Sequence, residues 1–366
     1  MTAGWDYSVE RLDVAAYTVP TDKPESDGTL AWDSTTIVVV EAHAGGHGGI
    51  GWTYGPAAIG ELVSGKLADV VRGTDALDVP AAWAAMVGAL RNAGPWGLSM
   101  YAVAAVDIAL WDLKARLLDV ALCALLGRRH AAVPIYGSGG FCSYSDDELA
   151  EQLGGWAAQG IPRVKMKVGR DPDADPHRVR VAREAIGPDV ELMVDANGAW
   201  PAEVAVQMAH AFAEQEVRWL EEPVSSDDLA GLRMVRDEAP AGMAVAAGEY
   251  ATDAYGFERL LDAGAVDVLQ ADVTRCGGFT GVLQADAICA AHNTDLSAHC
   301  APNLSAHVMA AAQRGRHIEY FHDHARLEHL LFDGVLEPVG GVLHPDVDRP
   351  GLGLELKRGD AERYRT

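Results

Sequence analysis

A chain of 366 residues that is 49% hydrophobic and 22% charged can bury a large core, and its length suits one big domain with an appendage or two domains. With 29 Lys and Arg against 53 Asp and Glu, the formal charge of −24 argues against the basic footprint of a nucleic-acid or anionic-membrane binder. No apolar run reaches the ~18–20 residues of a membrane span and no signal-like segment precedes the first strand-like run. The five scattered cysteines, without CxxC spacing, fit a reducing compartment, so a cytoplasmic protein is expected.

In chain order, the β-branched run at 35–40 predicts a strand, and the Gly-rich segment 45–51 reads as a turn between paired strands. Apolar residues at Val103, Val106, Leu110, Leu113, Leu117 and Leu118 predict one amphipathic helix over 100–126, stopped by Gly127. From 133 the pattern becomes regular, with candidate strands at 133–136, 164–168, 191–195, 217–221, 244–249, 266–272, 296–299 and 317–320. Ala/Leu-rich helices are expected between them at 175–186, 201–215, 255–263 and 280–292. Eight strands alternating with helices imply a parallel sheet closed into a β/α barrel. Beyond the last strand the chain turns polar and Pro/Gly-rich, and no eighth long helix of the usual kind is evident. The expected organisation is an α+β capping domain at 1–128, a barrel at 129–325 and a C-terminal segment at 326–366 that returns to the cap.

Within this rhythm a polar residue recurs every 20 to 28 positions: Lys167, Asp195, Glu221, Glu249, Asp272, His299 and Glu319. Strand side chains alternate faces, so Lys165 and Lys167 share the face opposite Val164, Met166 and Val168. The same parity groups Met193, Asp195 and Asn197; Val217, Trp219 and Glu221; Val245, Ala247 and Glu249; Val268, Gln270 and Asp272; Ser297 and His299; and His317 and Glu319. Each set ends on a polar side chain near the C-terminal mouth, where barrel enzymes place their sites. Asp195, Glu221 and Glu249 would repel one another unless a cation sat between them. An all-oxygen set with open positions suits Mg²⁺ better than zinc.

These residues resemble the enolase superfamily, and within it the mandelate racemase-like subgroup (the mandelate racemase/muconate lactonizing enzyme family, including acid-sugar dehydratases). The matching motifs are Lys165-Met-Lys167, Val194-Asp-Ala-Asn197, Trp219-Leu-Glu-Glu-Pro223, Ala247-Gly-Glu249, Asp272-Val-Thr-Arg-Cys-Gly-Gly278, His299 and Glu319, with 106–115 similar to the family's capping-domain helix. The resemblance implies a (β/α)7β modified TIM barrel with an α+β cap, and Mg²⁺ held by Asp195, Glu221 and Glu249. It implies Lys167 as a base whose pKa is lowered by Lys165, Lys165 also lying near the substrate carboxylate. It further implies His299 as base or acid oriented by Asp272, and a protonated Glu319 donating to a carboxylate oxygen. The chemistry common to that superfamily comes with it: abstraction of a proton α to a carboxylate, giving a metal-stabilised ene-diolate.

Two outcomes stay open at this point: dehydration of an acid sugar to a 2-keto-3-deoxy acid, or racemisation or epimerisation of a 2-hydroxy acid. A non-catalytic binding protein is a remote third, and a His-x-His metal-dependent amidohydrolase is disfavoured because 133–136 lacks that motif. Segments 17–24 and 48–54 are the candidate lids, with Asn197, Trp52, Tyr54, His322 and His324 as candidate substrate contacts. Their polar character favours a hydroxylated substrate. The expected partner is a small-molecule carboxylate, with no nucleic acid and no membrane, and a homo-oligomer is expected.

Overall fold

A computed structural model describes residues 7–366. Strands β1 (Arg11–Ser26), β2 (Ala31–Ala44) and β3 (His47–Tyr54) form an antiparallel sheet. The turn between β2 and β3 is only Gly45 and Gly46, at φ 56° and 78°, a two-residue hairpin connection that requires the left-handed region twice. The rest of the Gly-rich segment is strand, which corrects the reading of 45–51 as a turn. Its glycines serve packing: a Cβ on Gly49 would lie 2.2 Å from Leu113 N, and one on Gly51 2.4 Å from Ala105 O. The helix Leu98–Leu117 therefore lies directly on the sheet backbone.

That helix is shorter than expected. Asp119, at φ 53°, breaks the chain after Leu117, and a separate turn of helix follows at Leu122–Leu125. Two buried aspartates on the long helix tie the layers together. Asp107 accepts from Thr280 Oγ1 at 2.6 Å, and Asp112 accepts from Ile50 N at 2.8 Å, Leu352 N at 2.6 Å and Arg116 Nε at 2.9 Å.

The eight parallel strands are β4 (Val133–Gly139), β5 (Arg163–Lys167), β6 (Glu191–Asp195), β7 (Val217–Glu221), β8 (Ala244–Ala247), β9 (Val268–Asp272), β10 (Asp295–His299) and β11 (Gly315–Phe321). Pairing of Ile318 with Ile135 and Phe321 with Ser138 joins β11 to β4, so the barrel closes on itself. Tyr136, Met193, Trp219, Ala246 and Val268 fill its interior beneath the site. The opposite faces, including Val164, Met166, Val194 and Leu220, pack under the surrounding helices.

Two parity expectations change. An extra residue at Arg218 shifts the register between β6 and β7, so Val217 packs outward while Trp219 faces in. On β8 the inward residue is Ala246, whereas Val245 and Ala247 join the outer core. Glu249 is carried in by the backbone after the strand: Gly248, at φ 132°, sits where a Cβ would meet Gln270 O at 2.4 Å.

An eighth helix, His322–Leu331, follows β11 without a loop, where none was evident. Its signal is masked because it buries Asp323, His324 and Glu328 along with its apolar residues. The expected boundary at 325/326 falls inside it. The remaining chain adds β13 (Val342–Leu343) antiparallel to the start of β4, and pairs β12 (Phe332–Asp333) with β14 (Glu355–Leu356). It ends on the cap, where Thr366 N donates to Ala16 O at 3.0 Å. No helix among the described residues is long and apolar enough to cross a membrane.

Candidate active site

The ladder converges. Strand register aligns Lys167 with Asp195 and Asp195 with Glu221 across β5, β6 and β7, and aligns Asp272 with His299 across β9 and β10. All of these side chains, with Lys165, Glu249 and Glu319, are buried. Carboxylate oxygens of Asp195, Glu221 and Glu249 lie within 4.8 Å of one another. Lys165 Nζ contacts Glu221, lies 2.8 Å from Glu319 and 3.6 Å from Asp195, and Lys167 Nζ lies 2.5 Å from Asp195. His299 Nδ1 sits 2.7 Å from Asp272 Oδ2, while Thr274 donates through its N–H and its hydroxyl to the other oxygen of Asp272, both at 2.7 Å.

As formal charges, five carboxylates (Asp195, Glu221, Glu249, Asp272, Glu319) face three permanent cations (Lys165, Lys167, Arg275), an excess of two negatives with His299 neutral and of one with it charged. Burial, reinforced by Asp195, pushes Glu221 up to about 8, so a proton on Glu221 relieves part of the excess. A divalent cation would relieve all of it. The donor atoms fit one: Asn197 Oδ1 is buried beside Asp195 without a hydrogen-bond partner, and Glu249 Oε2 faces His299 Nε2 at 3.1 Å in an orientation that makes no hydrogen bond.

Burial alone would lower His299, but Glu249, Glu319 and Asp272 outweigh it and hold the imidazole above its ordinary range. Burial likewise disfavours a charged Lys167, and Lys165 acts in the same direction as expected, yet Asp195 outweighs both and raises the ammonium. For Glu319, burial raises the carboxyl but Lys165, His299 and Lys167 outweigh it, holding it well below the usual range. These neighbours favour the ionised form of Glu319, whereas the resemblance implies a protonated one. It accepts from Ser138 Oγ at 2.6 Å and from Cys300 N at 3.2 Å.

The site opens into a cavity of about 390 Å³ covered by the β1–β2 hairpin. Lys167, Asn197, Glu249, His299, Glu319, Tyr54 and His324 line it. Tyr54 stacks on His324 with ring centroids 3.5 Å apart, and its hydroxyl lies 3.0 Å from Glu328. Trp52 is elsewhere, buried against Phe332, and His322 lies outside the cavity, 3.1 Å from Asp22. The β1–β2 register slips between Pro20 and Glu25, and the wall of the cavity comes from 27–36 beyond that slip, not from 17–24.

Sequence reasoning also missed Arg275, which lies 3.0 Å from Glu249 and 3.3 Å from Asp272. Its signal was present, three residues after Asp272 in the motif that runs to Gly278. Trp32, Thr35 and Tyr250 had none as site residues, because strand patterning places Thr35 in a strand without saying which strand faces the cavity, and neither periodicity nor spacing marks Trp32 or the loop after β8.

Residues 13–127 match the N-terminal domain of the mandelate racemase / muconate lactonizing enzyme family, and residues 148–361 match the enolase C-terminal domain-like family. The chain belongs to the mandelate racemase/muconate lactonizing enzyme family of the enolase superfamily. It is similar to a mandelate racemase/muconate lactonizing enzyme-like protein from Rubrobacter xylanophilus, whose crystal structure superposes with a TM-score of 0.97 at 61% identity, covering 98% of this chain and 100% of that one. A 3,6-anhydro-α-L-galactonate cycloisomerase from Streptomyces coelicolor is 33% identical over 356 residues, 95% of this chain and 97% of that protein. The crystal structure of L-talarate/galactarate dehydratase from Salmonella typhimurium, liganded with Mg and L-lyxarohydroxamate, superposes with a TM-score of 0.91 at 28% identity, covering 100% of this chain and 95% of that one.

Proposed function

We propose that this protein dehydrates an acid sugar to a 2-keto-3-deoxy acid, with Mg²⁺ held by Asp195, Glu221 and Glu249. The observation that carries the reading is that Lys167 and the His299–Asp272 pair open onto the same cavity as the carboxylate cluster. Bound there, the cation would supply stabilisation of the charge that develops on the substrate carboxylate.

Lys167 Nζ takes the proton α to the carboxylate in its neutral amine form, which is favoured over the ammonium once Asp195 is committed to the cation, and Lys165 helps hold that carboxylate. His299, whose charged form its carboxylate neighbours favour, gives a proton to the β-hydroxyl as the C–O bond breaks, and water leaves. The resulting enol tautomerises to the 2-keto acid. Asp272 fixes the Nδ1 side of the ring, leaving Nε2 to face substrate.

The Streptomyces coelicolor relative supports a second reading, cycloisomerisation, in which the same proton is removed but a ring oxygen leaves and the mass is unchanged. A panel of acid sugars with Mg²⁺ in deuterated water, followed by proton NMR and semicarbazide trapping, separates these. Dehydration gives a trapped keto acid lighter by one water. Loss of the α signal without a keto product would return the protein to racemisation. Lys167→Ala and His299→Asn should each abolish turnover while Mg²⁺ binding survives; near-normal turnover by either refutes the acid–base roles of these two residues.

A further inference from the structure

The cavity is electrostatically two-sided. Its cationic groups, Lys167, Arg275 and His299, come from the barrel floor, and each already faces a carboxylate: Asp195 at 2.5 Å, Glu249 at 3.0 Å and Asp272 at 2.7 Å. The opposite wall, from the hairpin, presents Asp27, Leu30, Trp32, Ser34, Thr35 and Thr36. Among the described residues Asp27 is the one charged side chain on that wall, and it is a carboxylate.

Its geometry is fixed. Asp27 Oδ1 accepts from Thr29 N and Leu30 N, both at 2.6 Å, and from Thr29 Oγ1 at 3.1 Å, and Asp27 N donates to Leu30 O at 3.0 Å, so the carboxylate is fixed in the turn through one of its oxygens. Two cations near the hairpin are paired with other carboxylates, Lys23 with Glu148 at 2.8 Å and Arg326 with Asp323 at 2.6 Å, and Arg170 donates to the main-chain carbonyls of Asp27 and Leu30 behind the turn. None of these three lines the cavity. Trp32 is held rigid, its indole N–H donating to Glu25 at 2.8 Å and its ring packed edge-on against Phe141. A fixed indole beside hydroxyl groups suits the C–H faces and hydroxyls of a sugar chain. A carboxylate placed there would meet Asp27, with no cation lining that wall to pair with it directly.

We propose that the substrate carries a single carboxylate, bound at the barrel floor, and a neutral hydroxylated far end lying against Asp27, Trp32 and Thr35, so that the protein selects monocarboxylate acid sugars over dicarboxylate ones. This rests on the proposed acid-sugar chemistry and adds the end-group rule to it.

The test uses the full-length Mg²⁺-loaded protein and pairs of six-carbon aldonates and aldarates matched in configuration, with turnover and α-proton exchange read by NMR in deuterated water. For the configuration that reacts, kcat/KM should favour the aldonate by about tenfold or more, the ratio expected when one like-charge contact is left unpaired. Asp27→Asn keeps the acceptor oxygen for Thr29 and Leu30 while removing the charge. It should raise the aldarate-to-aldonate ratio of kcat/KM by about tenfold. Aldarates reacting as well as or better than their aldonate partners would overturn the rule, as would an Asp27→Asn ratio equal to that of the unaltered protein. If neither class exchanges its α-proton, the acid-sugar reading itself fails and the rule fails with it, a result distinct from both of the others.

Discussion

Asp272→Asn tests the acid–base assignment most directly, because it changes one atom at a buried contact. In the native site Asp272 uses one oxygen for Thr274 and the other for His299 Nδ1, at 2.7 Å. Asparagine can keep its carbonyl on Thr274, which places its NH2 against Nδ1. Two N–H donors then oppose each other unless the imidazole gives up its Nδ1 proton and keeps the one on Nε2, and that neutral ring is a far weaker acid than the imidazolium that protonates the leaving hydroxyl. The substitution also removes one of the three carboxylates that hold His299 charged, leaving Glu249 and Glu319 at 3.1 and 3.5 Å. A charge-assisted hydrogen bond lost at this site is worth about 1.5–3 kcal/mol, or roughly 10- to 100-fold. Loss of general acid–base function altogether is worth about 10²–10⁴. The expected fall in kcat is therefore on the order of 10²–10⁴, with the limb of the pH–rate profile assigned to His299 moved to lower pH. Steady-state rates between pH 5 and 9, with Mn²⁺ binding as a control for the intact cluster, check it. A variant within tenfold of native kcat and with an unmoved profile would refute the pairing as the source of His299 activity.

Gly51→Ala should destabilise the protein by about 1–3 kcal/mol or prevent folding, since overpacking costs this much in ordinary cores and this Cβ would meet main-chain atoms of the helix at 2.4 Å; denaturant midpoints of the variant and the native chain measure it. Buried His307 gives a pH prediction. Burial, only partly offset by Asp346, pulls it down to about 4 from 6.5, so folding excludes a proton that the unfolded chain takes up between those values. Its contribution is complete above pH 6.5 and is lost as pH falls to 4, by up to about 3 kcal/mol at 1.36 kcal/mol per pH unit. Replacing it with Asn should flatten the fall in Tm over that window, and an unchanged slope would remove His307 from the acid sensitivity.

The barrel and its polar ladder were legible because local chemistry and tertiary geometry agree there. The strands 191–195 and 217–221 have the expected bounds, each closing on the charged residue that turns into the mouth. Where a tertiary contact overrules a local pattern, the reading drifts. The glycines of 45–51 look like a loop until the helix Leu98–Leu117 is laid on them, and the β8 parity fails because Gly248 redirects the chain after Ala247. The helix His322–Leu331 lacks a clean apolar stripe because its buried face holds Asp323, His324 and Glu328, groups committed to Thr35, Tyr54 and Asn303. The wall made by 27–36 depends on a register slip between two strands, which no single-strand pattern encodes.

The lysine pair sharpens the electrostatic problem that the net charge of −24 raises. An anionic substrate needs positive potential in the cavity, yet Lys165 is matched by Glu221 and Glu319 and Lys167 by Asp195. With the five carboxylates and three cations of the cluster, the lysines offset charge already present and leave no surplus for an incoming anion. Surplus arises only when a divalent ion sits on Asp195, Glu221 and Glu249, freeing both ammonium groups from part of their pairing. Metal binding should therefore precede substrate binding. Titration calorimetry with a slow acid-sugar substrate and the Lys167→Ala protein, with and without Mg²⁺, measures the coupling. Affinity should fall by about 100-fold or more without the metal, about 2.7 kcal/mol of coupling. Equal affinity in both states would mean that the carboxylate binds without help from the metal's charge, and the charge argument for the metal would fail.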